Sequence, residues 1–106
     1  MTSSDKEVLE KFKTMLRKVL DVSEVILFGS RARGDADEFS DMDVIVVVKG
    51  RPEDHVRDYV GNCAWEAGLE SGIVIVPIVF SEEEWAESVR NRSLLGIAVT
   101  QDGMTA

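Results

Sequence analysis

Apolar and polar positions alternate along this chain in two distinct periods. From Ser4 to Leu20, Val8, Phe12, Met15, Leu16 and Val19 recur at helical spacing, which predicts one amphipathic helix. Ser4 with Glu7 three residues on reads as a capping box at its start. Glu24 to Phe28 is a short apolar strand that stops at Gly29. A polar segment follows, in which Ser30 is placed to cap a short helical turn and Gly34 to end it. Asp41 to Val48 is the second strand, and its end, Val44 to Val48, is apolar on both faces, as in a central covered strand.

Gly50, Arg51 and Pro52 break the chain. Glu53 to Leu69 then reads as a helix with Val56, Tyr59, Val60, Cys63, Ala64 and Ala67 on one stripe. His55 lies off that stripe and reads as a solvated surface residue. Ile73 to Phe80 is a third strand, in which Pro77 indicates an edge, a bulge or a strand end. Ser81 and Glu84 form a second capping box, opening a helix with Trp85 and Val89 inward. From Asn91 on the pattern is weak; Leu94, Leu95, Ile97 and Val99 are able to pack, and 101–106 is expected to fray.

The order αβ(α)βαβα predicts an α+β fold: a small mixed β-sheet in two layers, covered by helices mainly on one face. The link from Phe28 to Asp41 is near the lower limit for a parallel crossover, so an all-parallel sheet is not required. At 106 residues the chain reads as a single domain, 1–106, without repeats or linkers.

Charge narrows the function. Twenty acidic residues against 12 basic ones give a net charge of −8. That balance disfavours stand-alone DNA or RNA binding and docking on anionic membranes. It still permits a phosphate-bearing small molecule, because a divalent metal can sit between acid and phosphate. The single cysteine, Cys63, excludes an internal disulfide. With no apolar signal segment or membrane span to read, a cytoplasmic location is expected.

Two features carry candidate chemistry, with ten residues between Ser30 and Asp41. Asp41 and Asp43 are two apart on a strand, so both side chains project from one face, their α-carbons roughly 7 Å apart. Two such carboxylates repel unless solvated or bridged, and hard oxygen ligands suit Mg²⁺ or Mn²⁺. Gly29 and Ser30 end the preceding strand, where a glycine admits close approach and helix-start N–H groups can cradle a phosphate. Arg31 and Arg33 add positive charge nearby. Each feature alone has a bland reading, as surface aspartates or a common turn. Together they place triphosphate and metal side by side, the layout of nucleotidyl transfer.

The run Phe28-Gly-Ser-Arg-Ala-Arg-Gly34, followed by Ser40-Asp-Met-Asp-Val-Ile-Val46, resembles the signature of the minimal nucleotidyltransferases of the DNA polymerase beta superfamily. The resemblance is strong over Glu24 to Val48 and loose over the element order of the rest. It implies that Gly29 and Ser30 hold the phosphates of ATP or another nucleoside triphosphate, with Asp41 and Asp43 as catalytic metal ligands. It implies transfer of a nucleoside monophosphate, AMP first among the candidates, to a hydroxyl acceptor. Stand-alone chains of this kind resemble the antitoxin half of toxin–antitoxin pairs, whose partner is a HEPN-type RNase. One departure is visible: family members that catalyse transfer carry a third carboxylate on a later strand, and Gly72 to Phe80 contains no acid. Glu70 is the nearest substitute in sequence. The alternative is therefore a catalytically weakened module that binds a partner and retains the fold. The apolar strands are also compatible with a homo-oligomer.

Overall fold

The computed structural model describes residues 2–34 and 41–105, with Ser30 described by its backbone alone. Five helices and four strands are found among them. They follow the order α1 (Ser3–Arg17), β1 (Val22–Phe28), α2 (Ser30–Arg33), β2 (Met42–Val48), α3 (Asp54–Gly68), β3 (Ile75–Ser81), α4 (Glu82–Arg90), α5 (Leu94–Asp102) and β4 (Met104–Thr105). The strands make one mixed sheet in the order β3-β2-β1-β4. β2 pairs antiparallel with β1 and parallel with β3.

β2 shows why the sheet sits where it does. Met42, Val44, Val46 and Val48 point to one face and pack against Val8, Phe12 and Leu16 of α1 and Val60, Cys63 and Ala64 of α3. Ile45 and Val47 point to the other face, where Trp85 of α4 and Leu95 and Val99 of α5 join Ile26 in a smaller core. A strand covered on both faces needs β-branched residues at successive positions, and this one has them. Each large side chain fully buried here contributes roughly 1.5–3 kcal/mol. The larger core lies on the α1 and α3 face, as expected from the sequence; α4 and α5 add a thinner cover on the opposite one.

Several local expectations change. The first helix is capped by Thr2, whose hydroxyl accepts the Asp5 N–H at 3.1 Å, while Asp5 accepts the Thr2 N–H at 3.2 Å. That box replaces the one expected from Ser4 and Glu7. The helix ends at Arg17, so Val19 falls outside its periodicity and is 66% exposed. Val89, expected inward, is exposed beside the hollow between α4 and α5. Residues 101–105, expected to fray, complete α5 and pair as β4 with Ile26 and Leu27. The Ser93 hydroxyl caps α5 by accepting the Gly96 N–H at 3.0 Å. Gly96 packs closely on α4: a β-carbon there would lie 2.9 Å from the Ser88 carbonyl oxygen. Pro77 lies in β3, an edge strand, where a missing N–H costs little. Cys63 is buried in the core and His55 is exposed, both as expected.

Candidate active site

The site forms where β1 ends and β2 begins. Antiparallel pairing sets Phe28 opposite Asp43, which brings the next residue, Gly29, against the Asp43 side chain. A β-carbon on Gly29 would lie 2.7 Å from Asp43 Oδ2, and Gly29 also has φ +80°. Only glycine meets both demands without strain. The chain then turns into α2, whose Arg33 N–H donates to the Gly29 carbonyl at 3.1 Å. Gly34, also at positive φ, follows its last residue. A helix start leaves its first N–H groups outside the helical ladder, and this one begins at the residue after Gly29.

Asp43 shares the α4 and α5 face with Ile45 and Val47, but it stands at the strand start and is only half-buried. Asp41 lies exposed just before the strand. Burial, and then the Asp41 charge, push the Asp43 carboxyl above its ordinary range. Two like charges held together with one half-buried form a donor set that fits a hard divalent cation: Asp41 and Asp43 would hold it. Among the described residues, no group of three or more acids, histidines and cysteines is placed to hold a metal.

The neighbouring strand puts Val76 in register with Asp43, so the β3 position beside the carboxylate is apolar. Glu70 is exposed after the end of α3 and lines a hollow of about 100 Å³ with Glu7, Lys11 and Ser71.

The two arginines are both engaged. Arg31 is buried and ion-paired through Nη1 with Asp5 Oδ1, which ties α2 to the start of α1. Arg33 reaches Asp102 of α5, Nη1 to Oδ2, at 3.4 Å. Asp5 went unnoticed in the sequence, although Thr2-x-x-Asp5 is itself a capping pattern. The Ser30 hydroxyl and residues 35–40, including Ser40 of the signature run, lie outside what the structure describes.

A small mixed sheet with an acid pair facing a glycine turn defines a class of fold, and comparison with known proteins identifies it. A nucleotidyltransferase domain model matches residues 6–95. The chain belongs to that family. It is 40% identical over 80 residues to "Putative protein adenylyltransferase MJ0141" of Methanocaldococcus jannaschii, spanning 72% of this chain and 79% of the relative. A second relative from the same organism, "Putative protein adenylyltransferase MJ0604", is 44% identical over 62 residues, 58% of this chain and 57% of its own. Among solved structures, a toxin–antitoxin crystallised with AMP-PNP superposes with a TM-score of 0.64 at 19% identity, over 91% of this chain and 69% of that one. A mutant MntA–HpeT toxin–antitoxin gives 0.60 at 13%, over 98% and 71%. At these identities the structural likeness speaks for the fold. Among the described residues, no helix is long and apolar enough to cross a membrane.

Proposed function

We propose that the chain transfers AMP from ATP to a hydroxyl on a protein acceptor, in a reaction that depends on Mg²⁺ or Mn²⁺. The observation that carries this is the Asp43 carboxylate seated against Gly29, with Asp41 beside it. The acceptor oxygen attacks the α-phosphorus, a phosphate ester forms, the α–β anhydride bond breaks, and pyrophosphate leaves. The acceptor proton is released to solvent. A divalent ion, when bound, supplies charge neutralisation at the phosphates. Asp41 and Asp43 hold it, Gly29 admits the triphosphate to the backbone, and Ser30 opens the helix turn facing it. Arg31, through Asp5, fixes α2 and so acts on the phosphates by position. Arg33, half-exposed, adds positive charge at the same turn. Relatives named protein adenylyltransferases and toxin–antitoxin neighbours support a protein acceptor; the resemblance of the Gly29–Asp43 signature adds a HEPN-type toxin as the proposed partner. The proposed location is the cytoplasm, where the proposed donor, ATP, is available.

One observation favours a second reading. With Val76 beside Asp43 and no acid on β3, no carboxylate from this strand activates the acceptor, which fits a nucleotide-binding module that docks a partner without modifying it.

Incubation with α-labelled ATP, Mg²⁺ and an extract of the source cells decides between them. Label on a protein, lost in Asp43→Asn, supports transfer. ATP binding without label supports the module. Absence of binding heat with ATP and Mg²⁺ overturns both.

A further inference from the structure

The edge of the sheet next to the acid pair is apolar and open. Trp65 of α3 and Leu69, which caps its C-terminus, are 69% and 56% exposed, and Val74, just before β3, is 59% exposed. These three line a groove of about 340 Å³ against β3, with Pro77 at its far end. The groove lies on the α3 face of β3, and the site lies round the strand edge from it. The Met42 N–H donates to the Val74 carbonyl at 2.8 Å, and two residues on, exposed Val76 lies in register with Asp43. An apolar strip thus runs round the β3 edge from Trp65 to the carboxylates.

The charge around this strip is mainly negative; the cation on the same α3–β3 seam is Arg57, whose Nη1 donates to the Val79 carbonyl of β3 at 3.2 Å. From Asp58 to Val89 the sequence contains no lysine or arginine. On α3 and just beyond it, Asp58, Glu66 and Glu70 are exposed, and the strip ends at Asp41 and Asp43. Lys11 of α1 reaches this side only in the hollow it shares with Glu7 and Glu70. Two copies of the chain would face each other acid to acid, which disfavours self-association here. A partner with an apolar centre and a lysine- or arginine-rich rim is complementary. Pro77 removes one edge N–H from β3, so side chains rather than an added strand would make the contact. An exposed tryptophan in such a patch is the usual composition of an energetic anchor.

We infer that this strip, Trp65, Leu69, Val74 and Val76, docks the protein acceptor and that the acceptor is basic around its contact. The inference rests on the proposed transfer and names the surface that presents the hydroxyl to Asp43.

The full chain carrying a photo-crosslinking benzoylphenylalanine at position 65, or at exposed His55 on the same helix as a control, tests it. Each is irradiated in source-cell extract with α-labelled ATP and Mg²⁺. The expected result is an adduct from position 65 and not from 55, on the same polypeptide that carries the label, weakening as salt is raised. The paired change Trp65→Glu and Val74→Glu lowers labelling by at least about tenfold, the scale of losing one anchor. It leaves the heat of ATP and Mg²⁺ binding unchanged, because both side chains lie outside the core. Undiminished labelling in that variant overturns the inference. So does an adduct with a second copy of the chain, an adduct on a protein that takes no label, or no adduct. Absence of ATP binding heat in the unaltered chain is a separate signature: it overturns the transferase reading and takes this inference with it.

Discussion

The two ends of the β2–β3 pair both gather carboxylates beside the start of a helix, and they treat them in opposite ways. At the far end, Glu84 is satisfied. It accepts the Ser81 N–H at 3.0 Å while its own N–H donates to the Ser81 hydroxyl at 3.0 Å. That bonding, with Arg57 and Arg51 nearby, holds the Glu84 carboxyl below its ordinary range. At the near end, Asp43 is pushed up by burial and by Asp41. Among the described residues no cation pairs with either aspartate, while Arg31 is committed to Asp5. An acid whose charge is compensated within the fold is doing structural duty. One whose charge is left uncompensated, on a rigid strand, is held for something that arrives from outside.

The sharpest way to break this contrast is Asp43→Asn. Labelling of the acceptor should fall on the order of a thousandfold, since several kcal/mol of charge stabilisation are lost. The metal-free variant should at the same time melt higher than the parent, because a half-buried, repelled charge has been removed. A melting temperature that drops instead means Asp43 is structurally satisfied and the contrast fails. Next in size is Arg31→Ala. It leaves Asp5 buried without its partner and should cost about 3–5 kcal/mol in denaturant unfolding. Asp5→Asn with Arg31→Met should recover much of that loss, since both charges leave together.

Gly29→Ala should cost about 1–3 kcal/mol, from a strained positive φ and a β-carbon driven against Asp43. ATP affinity, measured by calorimetry, should fall in the same variant. If only stability falls, the turn serves the fold and not the phosphates. Smallest is Ser81→Ala, worth about 1 kcal/mol as a lost cap. The pH dependence of Glu84 gives the sign of the far end. The Glu84 carboxyl is lowered in the folded state, so its stabilisation is present above the ordinary Glu value near 4.3 and lost as pH falls through the folded value. Glu84→Gln, which removes the titrating carboxyl, should therefore fall short of the parent by a constant amount near neutrality, and that gap should close in acid, as followed by thermal melts.

Much of this was legible in the residues. β2 could be read as central because Val44 to Val48 is apolar at every position, and a strand covered on one face alone would alternate. Gly29 and the Asp41–Asp43 pair could be read because a strand end and a two-residue period fix faces before any tertiary contact forms. Arg31 could not be assigned. Its partner Asp5 is 26 positions away, and the same guanidinium would suit a phosphate equally well. The C-terminal segment was equally opaque, since the helical periodicity of α5 is faint. Its order comes from Ser93, from Gly96 against α4, and from two residues of β4 on the β1 edge.

By itself, then, the sequence determined the element types as far as α4, the central strand, the carboxylate pair and the glycine beside it, all consequences of local spacing and backbone sterics. The tertiary structure decided what depends on distant residues meeting. It committed Arg31 to α1, made β3 an edge with Val76 in register beside Asp43, and brought Trp65 and Val74 into one exposed strip. Pairing partners and exposure are properties of the packed chain, and no short-range pattern encodes them.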